Sequence, residues 1–248
     1  SPIATLPIAF LAGALAGMVT GLLNTALGIP GILASILTQI SLYSINLNIM
    51  GKANQPVSVD NYPLVVSLRY VTDGSVSRLL FFLGMIVFLL ALIAVMYWYF
   101  GTEQGHAIRA TGCNGNMARA QGINTNFIKV LALMISNGLV GLCGALYGQF
   151  QGASDVNMGR GAIVIGLAAV IIGEVLFGKF ASKRKLAFAF TLASVILGAV
   201  IYYMVYQFVL WLKMPSEDMK LFSAIVVAIF LAIPYLKEKR TLRKGASK

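Results

Sequence analysis

Residues 109–124 read RATGCNGNMARAQGIN. The stretch is small, polar and punctuated by glycine, and it separates two long apolar runs, 79–100 and 127–149. Each run has about the 20 residues that a helix needs to cross a hydrocarbon core. The polar stretch therefore reads as a structured connection between two membrane spans. Asn114 or Asn116 can cap a short helix, and Met117, Ala118, Arg119, Ala120 and Gln121 are good or tolerable helix formers. Gly122 is placed to end it with a left-handed residue. A helix of about two turns is unstable alone in water, so it persists only when packed on its own membrane helices or on a partner. Arg109 and Arg119 either face an acidic partner or lipid phosphate, or set topology alone.

The same apolar pattern repeats along the chain. Seven candidate spans are visible, at about 3–23, 29–50, 79–100, 127–149, 161–178, 186–212 and 221–236. The fifth and seventh are short enough to be tilted, broken or re-entrant. The runs are continuous rather than alternating, which excludes a closed barrel. Composition agrees: 58% of the 248 residues are hydrophobic and 11% charged, against about 25% charged in a soluble domain. The expected fold is all-α, a polytopic transmembrane helical bundle forming one domain over 1–248. It carries a polar segment at about 101–126 and a basic tail at 237–248. Ser1 is not an initiator Met and nothing reads as a cleavable signal peptide. The expectation is a chain that begins partway into a longer protein, with one or two upstream helices outside this numbering.

The net charge of +11 does not point to nucleic acid, because the basic residues lie next to apolar spans. Thirteen of the nineteen Lys and Arg residues fall in 101–129, 179–185 and 237–248. By the positive-inside rule these segments are cytoplasmic, as is the C-terminus. The segment 51–78 is then external and long for a hairpin; a solvated loop and a docking surface for an external protein are both open.

Gly13, Gly17 and Gly21 recur every four residues in the first span, and Gly138, Gly141, Gly144 and Gly148 line the fourth. Such small faces let backbones approach closely where lipid supplies no hydrophobic drive. Packing within one subunit and a dimer seam are both compatible with them, and contacts of this kind suit helices that rock. Polar residues inside the runs are few. Asn137 and Gln149 are candidates for a polar path or for interhelical hydrogen bonds. Glu174 costs about 2.5–3.5 kcal/mol at a helix centre; it lines a path or snorkels towards the interface near Lys179.

Catalytic chemistry is not supported. The one histidine, His106, lies outside the spans, so an intramembrane Ser–His dyad has no base. Cys113 and Cys143 give neither a disulfide framework nor, with one histidine, a zinc site. There is no G-x-x-x-x-G-K-[ST] phosphate loop. The expectation is a transport subunit, not an enzyme, with no catalytic residues, metal or cofactor of its own.

Three stretches carry a resemblance: GHAIRATGCNGNMARAQGIN at 105–124, SNGLVGLCGALYGQFQG at 136–152 and DVNMGRGAIVIGLAAVIIGE at 155–174. Together they resemble the permease subunits of bacterial binding-protein-dependent ABC importers of the branched-chain amino acid and ribose type. The resemblance is nearest to a branch linked to aromatic amino-acid uptake. It is specific from about 100 to 178 and looser beyond. It implies that the polar helix is the coupling helix that seats in a separate ATPase subunit, which binds the ATP. The positions that match the motif are Ala110, Thr111, Gly112, Asn114, Met117, Ala118, Arg119, Ala120, Gly122, Ile123 and Asn124, with Gln121 inside the same helix. Gly115 stands where the family often has Pro, which leaves the first helical residue open. The resemblance also implies a second permease chain, expected to be identical, an external solute-binding protein, and a place in the bacterial plasma membrane among its lipids. The competing readings are a self-sufficient secondary transporter or channel, a sugar or nucleoside permease, and a membrane scaffold.

Overall fold

A computed structural model describes residues 2–57, 75–159, 162–181 and 187–211, with single positions at 66, 228 and 232. The expected span at 221–236 and the tail at 237–248 lie outside the described residues, apart from positions 228 and 232. The chain divides into two compact units, 1–158 and 159–248.

In the first unit, α1 (Pro2–Thr25) and α2 (Gly31–Met50) form a hairpin. The turn between them is closed by the Asn24 side chain, which donates to the Ile29 carbonyl at 2.8 Å. Gly28 takes a φ of 68° there, a conformation that costs glycine nothing. α2 ends in the same way, at Gly51 with φ 68°. Next come the strand β1 (Asn54–Pro56) and the helix α3 (Ser75–Phe100). Two short helices, α4 (Glu103–Cys113) and α5 (Gly115–Ala120), lead into α6 (Thr125–Gln151). β2 (Ala153–Asp155) then pairs antiparallel with β1, Gln55 opposite Ser154. The ribbon joins the C-terminal ends of α2 and α6. The α4–α5 element sits at the opposite end of α6, about 40 Å away for a helix of this length.

α1 and α6 make the closest pair in this unit. A methyl group added to Gly13 would stand less than 3.0 Å from the Asn137 carbonyl oxygen, and one on Gly17 equally close to that of Leu133. A methyl group on Gly21 would stand 2.9 Å from the Val130 Cα, and one on Gly141 would meet the Ala9 carbonyl oxygen. Helices this close gain dispersion and backbone contact, the main source of association in lipid. Gly148 has only ordinary contacts with Ala153 and Met158. Gly144, grouped with these residues by its spacing, has nothing within 4 Å of where its side chain would begin. It is turned around the helix, away from the seam within this chain.

The second unit contains α7 (Ala162–Ala181) and α8 (Ala187–Trp211). They pack by the same device, with Gly173 against the Ser194 carbonyl and Gly198 against that of Ala169. Ala168, Ile172 and Tyr202 form its buried cluster.

Among the described residues, five helical segments are long and apolar enough to cross a membrane: Pro2–Thr25, Gly31–Met50, Arg78–Phe100, Thr125–Gln151 and Phe188–Phe208. α7 adds a shorter apolar stretch, Ile165–Phe177. Leu79, Leu80, Leu83, Val87 and Trp98 are exposed along α3, an apolar surface far larger than a water-soluble monomer presents. The fold is an all-α polytopic membrane protein whose only sheet among the described residues is the three-residue ribbon.

Candidate functional site

The polar stretch between α3 and α6 folds into two helices, not one. α4 begins at Thr102, whose Oγ1 accepts from the Gly105 N–H, with Glu103 favourably placed in the first turn. Gly105 lies directly on the end of α3; a methyl group there would meet Tyr99 and Phe100 backbone atoms at less than 3.0 Å. Arg109 Nη2 donates to the Phe100 carbonyl at 2.8 Å, satisfying an acceptor that the end of α3 leaves open. These contacts fix α4 to α3. The sequence signal for α4 was Thr102-Glu103 at its start, which the opening of the polar stretch at residue 109 missed.

Asn114 is both an end and a beginning. Its N–H bonds to the Ala110 carbonyl and closes α4. Its side-chain oxygen accepts from the Asn116 and Met117 N–H groups at 3.1 and 3.0 Å and starts α5. Of the two cap candidates the structure uses Asn114, and the helix begins at Gly115. At the far end Gly122 has φ 81°. Its N–H reaches the Arg119 carbonyl, and that of Ile123 reaches Ala118, the paired bonds of a Schellman motif.

α5 has two distinct faces. Ala118 is 3% exposed and is sealed inside the chain, whereas Met117 is 64% exposed. Asn116, Ala120, Gln121 and Gly122 are also exposed. Gly112 is exposed with nothing within 4 Å. Arg119 turns towards α6: its Nε and Nη2 donate to Thr125 Oγ1 at 3.4 and 3.1 Å. Cys113 is a free, exposed thiol, as is Cys143 on α6.

The three polar residues considered for a path have different surroundings. Asn137 folds back onto the Leu133 carbonyl of its own helix at 2.9 Å. Gln149 is buried and its Nε2 donates to the Pro2 carbonyl at 3.1 Å and to Thr5 Oγ1 at 2.9 Å. That amide ties the two helices together at one end of the α1–α6 seam. Glu174 is exposed on α7, in the other unit. A buried pair that sequence reading passed over, Thr20 and Thr38, joins α1 to α2 through hydroxyls 2.9 Å apart. Among the described residues, no group of three or more His, Cys, Asp or Glu is placed to hold a metal.

The apolar helices among the described residues, with a compact polar helical element at the N-terminal end of α6, define a polytopic membrane protein. The chain belongs to the family described as the permease component of branched-chain amino acid transport systems, which matches residues 1–234. It is 39% identical over 232 residues to a tyrosine transport system permease protein of Clostridioides difficile (strain R20291), spanning 94% of this chain and 73% of that protein. It is 27% identical over 217 residues to an autoinducer 2 import system permease protein of Yersinia pseudotuberculosis (serotype O:3, strain YPIII), spanning 86% of this chain and 56% of that one. A nucleoside ABC transporter permease protein of Lactococcus lactis is 30% identical over 179 residues, 67% of this chain and 52% of the relative. No solved structure matches. The chain is thus a multi-pass inner-membrane permease subunit of an ABC transport system, a class whose members work with an ATPase subunit and a solute-binding protein.

Proposed function

We propose that this chain forms the solute pathway of an ATP-driven importer for a small polar solute, an amino acid, and couples to its ATPase through α5. The observation that carries the reading is the two-faced α5. A six-residue helix of this kind has no stability of its own. Here both ends are capped, one side is sealed by Ala118, and the other presents Met117, Asn116, Gln121 and Gly122 to a partner. An exposed methionine is a soft, adaptable contact. The amino-acid solute is supported by the family and by the tyrosine permease of C. difficile; the autoinducer and nucleoside relatives mark the competing solutes. The basic connections put α4, α5 and the C-terminus in the cytoplasm, and the β1–β2 ribbon then faces the binding protein outside. A second, identical permease completes the pathway, with lipid around both.

The test is reconstitution of the chain with its ATPase and binding protein, carrying Met117→Glu with Gln121→Glu on the outward face. The expected result is loss of ATPase copurification, with affinity lower by about 2 kcal/mol, roughly thirtyfold, and loss of ATP-dependent uptake. Unchanged assembly and uptake would remove α5 from the interface. Ion-driven flux through the chain alone would instead establish a secondary transporter. In a Cys143→Ser background, an impermeant thiol reagent should label Cys113 in inside-out vesicles and not in intact cells.

A further inference from the structure

Arg119 is an exposed residue of the helix assigned above to the ATPase contact, and its guanidinium reaches back to the start of α6. Nε and Nη2 both donate to one acceptor, Thr125 Oγ1. Thr125 is the first residue of α6 and is 3% exposed. The four residues between α5 and α6 are held in addition by the Ile123-to-Ala118 backbone bond and by Asn124, whose side chain accepts from the Phe127 N–H at 3.2 Å. α6 in turn meets α1 backbone to backbone at Gly13, Gly17 and Gly21. At the far end of that seam Gln149 grips the first turn of α1.

We infer that Arg119 is a positioning residue that latches α5 to α6, so that α5, α6 and α1 move as one body when the ATPase displaces α5. The inference rests on the proposed coupling role of α5. Two physical points carry it. A short helix can pass on a displacement only if it cannot rotate against its own membrane helix, and the Arg119–Thr125 bonds close that freedom. A seam in which carbonyl oxygens sit where a methyl group would overlap has no compressible layer of side chains, and packed contacts of this kind shift as units rather than deform. The glycine contacts are therefore the part of the machine that stays fixed. Movement is taken up outside this three-helix body.

The experiment compares Arg119→Gln, Thr125→Val, Thr125→Ser and the Arg119→Gln/Thr125→Val double variant in proteoliposomes holding the ATPase and binding protein. Thr125→Val keeps shape and removes the acceptor; Thr125→Ser keeps the acceptor. The latch predicts normal assembly and near-normal ATP hydrolysis for all four. It predicts solute uptake per ATP reduced several-fold in Arg119→Gln and Thr125→Val, normal in Thr125→Ser, and no lower in the double variant than in the worse single. Impairment in Arg119→Gln with a normal Thr125→Val would overturn it, by assigning Arg119 to a partner or to lipid phosphate. So would parallel loss of thermal stability and assembly in both, the mark of a purely structural role. A second readout needs no partner. With Cys113 and Cys143 replaced by Ser, spin labels at Asn116→Cys and Ser136→Cys should give a narrow distance distribution. That distribution should broaden in Thr125→Val and not in Thr125→Ser. If the wild-type chain fails to bind the ATPase while the spin-label pattern holds, the coupling role fails and the latch geometry stands. Equal distributions in all variants sink the latch itself.

Discussion

Among the described residues, α1 packs on two helices of its unit, and they are held in different ways. α2 follows after five connecting residues, 26–30, yet their named side-chain link is one hydroxyl pair, Thr20 and Thr38, beside the fully buried Ala34. α6 begins a hundred residues after α1 ends, and there carbonyl oxygens and Cα atoms come within reach of the glycines themselves. Adjacency in sequence fixes which helices are antiparallel; it does not fix which are tight. Tightness follows the removal of side chains, because in lipid two leucine faces gain little by leaving the acyl chains. α7 and α8 repeat the α1–α6 solution with Gly173 and Gly198.

The strongest way to break this comparison is to put a side chain into the seam. Gly17→Leu would drive carbon atoms into the Leu133 carbonyl, which is backbone and cannot turn aside. The expected cost exceeds about 4 kcal/mol, and the chain should lose its monodisperse peak on size exclusion. Gly144→Leu is the matched control on α6: with nothing within 4 Å, it should run as wild type. If the two variants behave alike, close approach is not what holds α1 to α6.

Gln149→Leu tests the hydrogen-bonded end of the same seam. It removes the bonds to Pro2 and Thr5, each worth about 1 kcal/mol net. Thr5 still donates to the Pro2 carbonyl, so no acceptor there is left bare. A loss of about 2 kcal/mol in thermal or denaturant unfolding is expected, well below the glycine effect. Were Gln149 a pathway residue instead, uptake would fall with stability unchanged.

Gly122→Ala sharpens the contrast between two uses of glycine. Gly17 is needed for space; Gly122 has nothing within 4 Å and is needed for its φ of 81°. Alanine there costs about 1 kcal/mol, and Gly122→Asn should cost less because asparagine tolerates the left-handed region. The reading is ATPase copurification, which should fall modestly while the bundle's melting temperature stays within a degree or two.

How far the sequence carried depended on whether a feature was local. The cap and the left-handed Gly122 are decided within a few residues: the cap was legible to within Asn114 or Asn116, and Gly122 was legible. So was the close-approach face at Gly13, Gly17 and Gly21, since a four-residue period of glycine means little else in an apolar helix. Its partner was not legible, because nothing in α1 distinguishes α6 from any other helix. Gly144 shows the limit of spacing: it belongs to the glycine series of α6 by count and lies off the seam by rotation. β1 and β2 are three residues each, too short for any alternation to register. The Arg119–Thr125 bond crosses a left-handed turn, where helical periodicity gives no guidance. Asn137 and Gln149 were read as either path or packing. In the structure Asn137 bonds within its own helix and Gln149 bonds across to α1, and polarity alone could not have separated them.

The smallest effect belongs to the α1–α2 contact, and it decides whether the two interfaces differ in kind. Thr20 Oγ1 lies 2.9 Å from Thr38 Oγ1 and 3.0 Å from the Ala16 carbonyl, so its single proton has two possible acceptors. Thr38 Oγ1 donates to the Ala34 carbonyl of its own helix. In Thr38→Val the Thr20 hydroxyl turns back to Ala16 and remains satisfied, and Ala34 keeps its ordinary helical bond. The variant therefore loses an interhelical bond without burying an orphan, which in membrane proteins costs about 0.6 kcal/mol. Thr38→Ser should cost less still, because it keeps the hydroxyl. A shift in unfolding of that size leaves α2 as the loosely held neighbour of a tight pair. A loss as large as that of Gln149→Leu would mean that the hydroxyl pair holds α2 as firmly as the amide holds α6, and the distinction between the two interfaces would go.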